Sequence, residues 1–213
     1  MVSRVRNSRG RPKSAPTAFI VPRRPTVASR PPSGPGWAHE LKHDGYRLQI
    51  HIRDGRVRLY TINGADWSKR YPLIIEAARK LPNSVILDAE VVWLDSKGTS
   101  IFEALHSRAN DENAIALAFD LLMSDGDDIR KRPFTERKGL LQKALRRAPS
   151  GIQYVAHIAG DGAEMFEAVC KVGLEGMVSK KLDSIYRSGR TKSWIKVKNP
   201  NAPAATRAQD GTF

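Results

Sequence analysis

The chain has one cysteine among its 213 residues, Cys170, and no group of Cys and His at zinc-ligand spacing. An internal disulfide and a structural zinc site are thereby excluded. Long apolar runs are absent too. The longest, Ala114 to Met123, is ten residues and contains Asp120, too short and too polar for a membrane-spanning helix. No apolar secretory core opens the sequence, and the prolines of the Arg-rich start forbid the amphipathic helix of an organelle transit peptide. There is no G-x-x-x-x-G-K-[ST] phosphate loop and no G-x-S-x-G elbow, so neither P-loop nucleotide chemistry nor that route to serine catalysis is expected. Acidic residues are missing from residues 1 to 36, which carry eight Lys or Arg and seven of the thirteen prolines. A soluble, reduced, intracellular protein is the expectation.

What is abundant is positive charge. Lys and Arg number 36 against 22 Asp and Glu, a formal net charge of +14, more than half of it on the first sixth of the chain. Such an excess attracts a polyanion, nucleic acid before an anionic membrane. Low apolar content and unbalanced charge predict a disordered arm at the start. Phe19 to Gly36, rich in proline, is expected to be extended and to lie along the domain. With 40 % hydrophobic residues overall, the remainder can bury a core.

From Tyr46 the text alternates apolar and polar to Arg53, a half-buried strand, and Asp54-Gly55 then turns the chain into a second strand, Val57 to Thr61. Further strands are expected at Val85 to Leu94, Ala114 to Met123, near Tyr154 to Ile158, at Gly176 to Leu182 and at Ser193 to Lys198. Helices fit Pro72 to Leu81, Phe102 to Arg108, Thr135 to Arg147 and Asp161 to Val172, the last with Asp161 as N-cap and Gly173 as C-cap. Strands with helices inserted irregularly predict an α+β fold.

Three segments could carry chemistry. In Glu40-Leu41-Lys42-His43-Asp44-Gly45-Tyr46-Arg47 a lysine just ahead of a strand can present an amine beside a phosphate, or be a solvated charge at a turn. In the strand Val85 to Leu94, Asp88 and Glu90 share one face; like Asp120 in the next strand, each either meets a functional cation or metal or is part of a structural salt bridge or a capped turn. Near the C-terminus, Glu175-Gly176-Met177-Val178-Ser179-Lys180-Lys181 precedes Ser193-Trp194-Ile195-Lys196-Val197-Lys198, where Lys196 and Lys198 project to one face. That pair suits phosphate, or protects an edge strand from aggregation.

Taken together, Lys42-His43-Asp44-Gly45-Tyr46-Arg47, Leu87-Asp88-Ala89-Glu90, Phe119-Asp120, Glu175-Gly176-Met177-Val178 and Lys196-Val197-Lys198 resemble, in order and spacing, the nucleotidyltransferase superfamily of ATP-dependent DNA ligases, RNA ligases and mRNA capping enzymes. The text between them is similar to the ligase domain of bacterial non-homologous end-joining DNA ligases: Trp37-Ala38-His39-Glu40, Asn63-Gly64-Ala65-Asp66-Trp67, Asp183 through Arg190, and Trp194 through Asn199. The similarity covers about residues 19 to 200. It implies a nucleotidyltransferase (ATP-grasp-like) fold of antiparallel sheets flanked by helices, with a basic arm over residues 1–18, an adenylation domain over 19–200, and a short tail over 201–213 without the OB-fold domain that usually follows.

By the same resemblance, Lys42 attacks the α-phosphate of ATP and becomes AMP-lysine, and Asp44 supports its loop. Glu40 lies near the adenine, Phe119 stacks on it, and Arg47 contacts ribose or phosphate. Glu90 and Glu175 hold the ribose or the divalent ion, Mg²⁺ or Mn²⁺, while Lys196 and Lys198 neutralise phosphate charge. The implied partners are nicked or broken double-stranded DNA and end-joining repair proteins, with no membrane; the implied protein is a monomeric, cytoplasmic, nucleoid-associated bacterial enzyme. Alternatives within the reading are an RNA ligase or capping-type transferase, and a catalytically weak domain that binds DNA ends. One position departs from the pattern: after the hairpin the family usually has arginine, but Thr61-x-x-Gly64 holds Ile62 here, with Arg58, Lys69 or Arg70 as candidate substitutes.

Overall fold

The computed structural model describes residues 19–202. The expected arm, residues 1–18, and residues 203–213 of the expected tail lie outside the described residues.

The described chain runs β1 (Arg23–Val27), β2 (Trp37–Leu41), β3 (Tyr46–Arg53), β4 (Arg56–Thr61), α1 (Pro72–Arg79), β5 (Val85–Val92) and α2 (Phe102–His106). It continues through β6 (Ile115–Ser124), β7 (Asp127–Asp128), α3 (Phe134–Leu145), β8 (Ile152–Tyr154), β9 (Ile158–Ala159), α4 (Gly162–Lys171), β10 (Gly176–Lys181) and β11 (Gly189–Lys198). Two sheets result. One has the order β1-β11-β10-β2-β9; the other runs β4-β3-β5-β6-β7, with β8 added beside β6. Neighbours are antiparallel except β1 with β11 and β6 with β8. The α+β expectation therefore holds, and no βαβ repeat organises the sheets.

Local chemistry accounts for most boundaries. Asp54 and Gly55 both have positive φ, 49° and 72°, the geometry of the two-residue turn that matches strand twist, and they close the β3–β4 hairpin. Pro72 opens α1 where its missing N–H costs nothing. At α4 the Asp161 carboxylate accepts from the Ala163 backbone N–H at 2.8 Å, and Gly173 follows the helix at φ 74°.

The main core lies between the second sheet and its helices. Leu48, Ile50, Leu87, Ala89 and Val91 meet Ile74 and Ala78 of α1, Leu105 of α2 and Leu141 of α3. The opposite face of that sheet turns towards the first sheet, where Ile86, Leu122 and Met123 pack with Tyr186, Trp194 and Ile20. This second face carries Asp88 and Glu90, as period two in β5 requires.

Three differences from the sequence expectation have physical causes. The proline-rich segment at 19–36 contains a strand, β1, because buried Arg23 fastens it to β11; the guanidinium donates to Ile185 O, Thr191 Oγ1 and Ser193 Oγ. β2 was not expected, because its buried residues include His39 and Glu40, which read as surface. The single strand expected near 154–158 is two, β8 and β9, each in a different sheet.

Candidate active site

A cleft of about 460 Å³ opens between the two sheets. Lys42 stands at its edge, one residue beyond β2, with its backbone N–H donating to Gly176 O at 3.0 Å. That bond ties the lysine to the start of β10. Two glycines allow the packing. A Cβ at Gly45 would lie 2.0 Å from Val91 O, and one at Gly176, whose φ is 147°, would lie 2.2 Å from Val197 O. Only glycine lets the lysine loop press onto β5 and β10 press onto β11 so closely.

The Lys42 ammonium meets Glu175 Oε1 at 2.5 Å. The other oxygen of that carboxylate, Oε2, is buried without a hydrogen-bond partner. Burial pushes the Glu175 carboxyl above its ordinary range, against the pull of Lys42. Glu90, on β5, faces the same cleft; burial pushes it up to about 7, with Lys42 and Arg47 opposing the shift. His43 is driven the other way, down to about 4, by burial and then by the adjacent Lys42 charge. It is therefore neutral near physiological pH and adds no charge beside the lysine.

Beneath these groups the floor is built from closed ion pairs. Arg47 holds Asp88 with two bonds, Nε to Oδ1 at 2.9 Å and Nη2 to Oδ2 at 2.7 Å, and donates to Arg23 O. Tyr186 adds a hydroxyl donor to Asp88 at 2.7 Å. Asp120 receives Arg137 in the same two-bond manner, at 2.8 and 2.9 Å, with both side chains fully buried. Glu40 accepts two ammonium groups at 2.5 Å each, Lys138 on Oε1 and Lys180 on Oε2. Both lysines also donate to Phe119 O at 3.3 Å. Lys180 Nζ lies 4.5 Å from the centre of the Phe119 ring and 4.2 Å from that of Trp194, distances at which the π faces stabilise a cation. Even so, burial lowers Lys180 to about 8.

The residues singled out in the sequence are placed as follows. Lys42, Glu40, Arg47, Glu90, Phe119 and Lys196 all line the cleft. Glu175 lines a smaller cavity of about 120 Å³ behind the lysine loop, together with Asp44 and His43. Lys198 is exposed at the end of β11 and acts on Lys196 and Glu175 through its charge. The question left open for the strand acids divides cleanly: Asp88 and Asp120 are halves of salt bridges, whereas Glu90 makes none among the described residues. Among the described residues no group of three or more His, Cys, Asp or Glu side chains converges to hold a metal ion.

Sequence reasoning did not pick out Lys180, Arg24 or Arg190 as cleft residues, nor Lys138 as the buried partner of Glu40 beneath the cleft. Lys180 had a signal, since period two places it on the same side of β10 as Val178, and both line the cleft. Lys138 had none; it reaches Glu40 across 98 residues of chain. Of the candidate substitutes for the missing arginine, Arg58, Lys69 and Arg70 instead surround a separate surface hollow beside Trp67. Arg58 pairs there with Asp66 and Arg70 with Asp111, while Ile62 itself lines the cleft.

Two sheets closing on a cleft that offers a lysine amine, flanking carboxylates, a row of cations and an aromatic ring define a nucleotidyltransferase-type domain. The family model for the ATP dependent DNA ligase domain matches residues 28–198, and the chain belongs to that family. It is 40 % identical over 185 residues to the multifunctional non-homologous end joining protein LigD of Pseudomonas aeruginosa, which covers 84 % of this chain and 22 % of that protein. It is 30 % identical to the SPbeta prophage-derived DNA ligase-like protein LigB of Bacillus subtilis, across 85 % of this chain and 68 % of that one. Among solved structures, the ligase domain of M. tuberculosis LigD superposes with a TM-score of 0.74 at 33 % identity, covering 84 % of this chain and 59 % of that one. A mycobacterial DNA ligase D complexed with ATP and MES gives 0.70 at 33 % identity, over 82 % and 60 %. The chain thus spans about a fifth of the length of the LigD relative. No helix among the described residues is long and apolar enough to cross a membrane.

Proposed function

We propose that this chain adenylates itself on Lys42 with ATP and passes the adenylate to a DNA 5′-phosphate, so that a 3′-hydroxyl can displace AMP and join the strands. The observation that carries the reading is the Lys42 amine at the edge of the cleft, paired with Glu175 and facing Glu90, in a chain of the DNA ligase family. For attack the ammonium must first lose a proton. Glu175 Oε1, at 2.5 Å and raised by burial, is the group placed to accept it. The amine nitrogen then bonds to the α-phosphorus as the bond to the bridging oxygen breaks and pyrophosphate leaves. Lys196 supplies charge to the phosphate oxygens, with Lys198 behind it. Phe119 offers its ring to the adenine, Glu40 borders the base, Arg47 borders the ribose and phosphate, and Asp44 steadies the lysine loop.

A divalent ion, Mg²⁺ or Mn²⁺, would be held by Glu90, with Glu175 nearby and nucleotide phosphate oxygens as the remaining ligands. One or two carboxylates plus phosphates is the ordinary protein share of a Mg²⁺ site, so the donors present fit such an ion. When bound, it would supply positive charge at the reacting phosphate. The polyanion that the +14 charge anticipates is then nicked or broken duplex DNA. The adenylation domain is assigned to residues 19–200 and the basic segment 1–18 to nonspecific DNA contact, in a monomer working at the nucleoid with end-joining proteins.

The test is incubation with ATP labelled at the α-phosphate and a divalent ion. Wild type takes up label and Lys42→Ala does not; an unlabelled wild type, or a labelled Lys42→Ala, overturns the reading. Sealing of a nick in DNA but not in RNA then separates a DNA ligase from an RNA ligase.

A further inference from the structure

Arg24 and Arg190 face each other in register across the parallel strands β1 and β11. Neighbouring strands lie about 4.8 Å apart, and register partners send their side chains to the same face. That face is the mouth of the cleft holding Lys42 and Lys196, which both arginines line. Their backbone is fixed from below. Arg23 and Thr191, one residue along each strand, point the other way and hydrogen-bond to each other, and Thr26 Oγ1 donates to Thr191 O at 2.8 Å.

Nothing described on the protein answers the two charges. Both side chains are exposed, and among the described residues neither makes an ion pair or a side-chain hydrogen bond, whereas Arg47, Arg70 and Arg137 around the same sheets each have a carboxylate. Like charges directly opposite across strands destabilise a sheet. Arg190 also weighs on Lys196, which burial and neighbouring cations already hold below the ordinary lysine range. Arg24, Arg190 and Lys196 thus line the same cleft, with apolar Ile62 also in its wall. Paired guanidinium forks match the tetrahedral oxygens of a phosphate better than any neutral or cationic ligand.

We propose that Arg24 and Arg190 form a second phosphate site at the cleft mouth, separate from the α-phosphate position beside Lys42. The phosphate comes either from the β,γ end of ATP or from the 5′ end of a DNA break. The inference rests on the adenylation reading above, and two assays on the full chain distinguish the sources. The first follows self-adenylation against ATP concentration, and pyrophosphate release of AMP in reverse. The second mixes pre-adenylated enzyme with nicked duplex in the absence of ATP.

The double variant R24Q/R190Q is expected to lose about tenfold or more in apparent affinity in one assay, with melting temperature unchanged, as for exposed side chains. Loss in the first assay assigns the site to the triphosphate, and loss in the second to the DNA 5′-phosphate. R24K/R190K, which keeps charge but not the fork, should recover part of the loss. Values within about twofold of wild type in both assays overturn the site. So does a loss that the lysine variant fails to relieve at all. Absence of label on wild type would instead refute the parent reading.

Discussion

At the floor of the cleft, Asp88 lies on Arg47, Asp120 on Arg137, and Glu40 between Lys138 and Lys180, all of them buried or nearly so. At the mouth, Arg24 and Arg190 are exposed and make no described ion pair, and Lys196 is only half-buried. The floor cannot leave a charge unanswered, because low dielectric makes an isolated buried ion prohibitively costly. The mouth can, because water screens it until a ligand arrives. In the buried pairs the charge is met within the protein, whereas Arg24 and Arg190 at the mouth meet no described counter-charge. Glu90 sits at the boundary: it borders the cleft, has no salt bridge among the described residues, and is raised by burial to about 7.

Breaking the floor should have the largest effect. Asp120→Asn leaves the fully buried Arg137 guanidinium without its counter-charge, at a cost of about 3–5 kcal/mol in denaturant unfolding and a melting temperature lower by about 10 °C. Glu40→Gln strands two buried ammonium groups and should cost a similar amount, about 3–5 kcal/mol. Lys180→Met is the sharper test, since it leaves Glu40 and Lys138 as a neutral pair. It should shift stability near neutral pH by no more than about 1 kcal/mol.

Its pH dependence has a definite sign. The folded-state value of Lys180 is about 8 against 10.5 for a free lysine, so between the two the unfolded chain binds more protons. Stability contributed at this site then rises with pH across that window and is lost below it. Wild type should gain on Lys180→Met as pH goes from about 8 to 10.5, read by unfolding at each pH.

The mouth should be far more tolerant of substitution. Single variants Arg24→Gln and Arg190→Gln should alter stability by less than about 0.5 kcal/mol, while weakening phosphate binding. Smallest in energy per residue is the basic N-terminal segment. Removing residues 1–16, which hold Arg4, Arg6, Arg9, Arg11 and Lys13, should flatten the salt dependence of DNA binding, measured as log affinity against log salt. An unchanged slope would deny that segment a DNA role.

Much of this was readable in advance because it rests on local rules. Alternation exposed β3 and β4, Asp54-Gly55 fixed their turn, and Asp161 with Gly173 bounded α4. Local pattern brought Lys42, Glu90 and Lys196 to notice and the family resemblance added Phe119, and all four line one cleft. What stayed hidden was partnership over long distance. Asp88 and Glu90 are two residues apart on the same face, yet one is locked by Arg47 and Tyr186 and the other borders the cleft without a described salt bridge. β2 escaped because His39 finds Ser179 and Gly160 O, and Glu40 finds two lysines, all contributed by distant strands, loops or helices.

The sequence by itself determined most element types and, through its ordered motifs, the family, since periodicity, turn chemistry and motif order are properties of neighbouring residues. Only the tertiary structure decided which charges are paired within the fold and which stand exposed at the cleft. That division depends on burial and on opposite charges meeting across two sheets, and neither is encoded in any one stretch of chain.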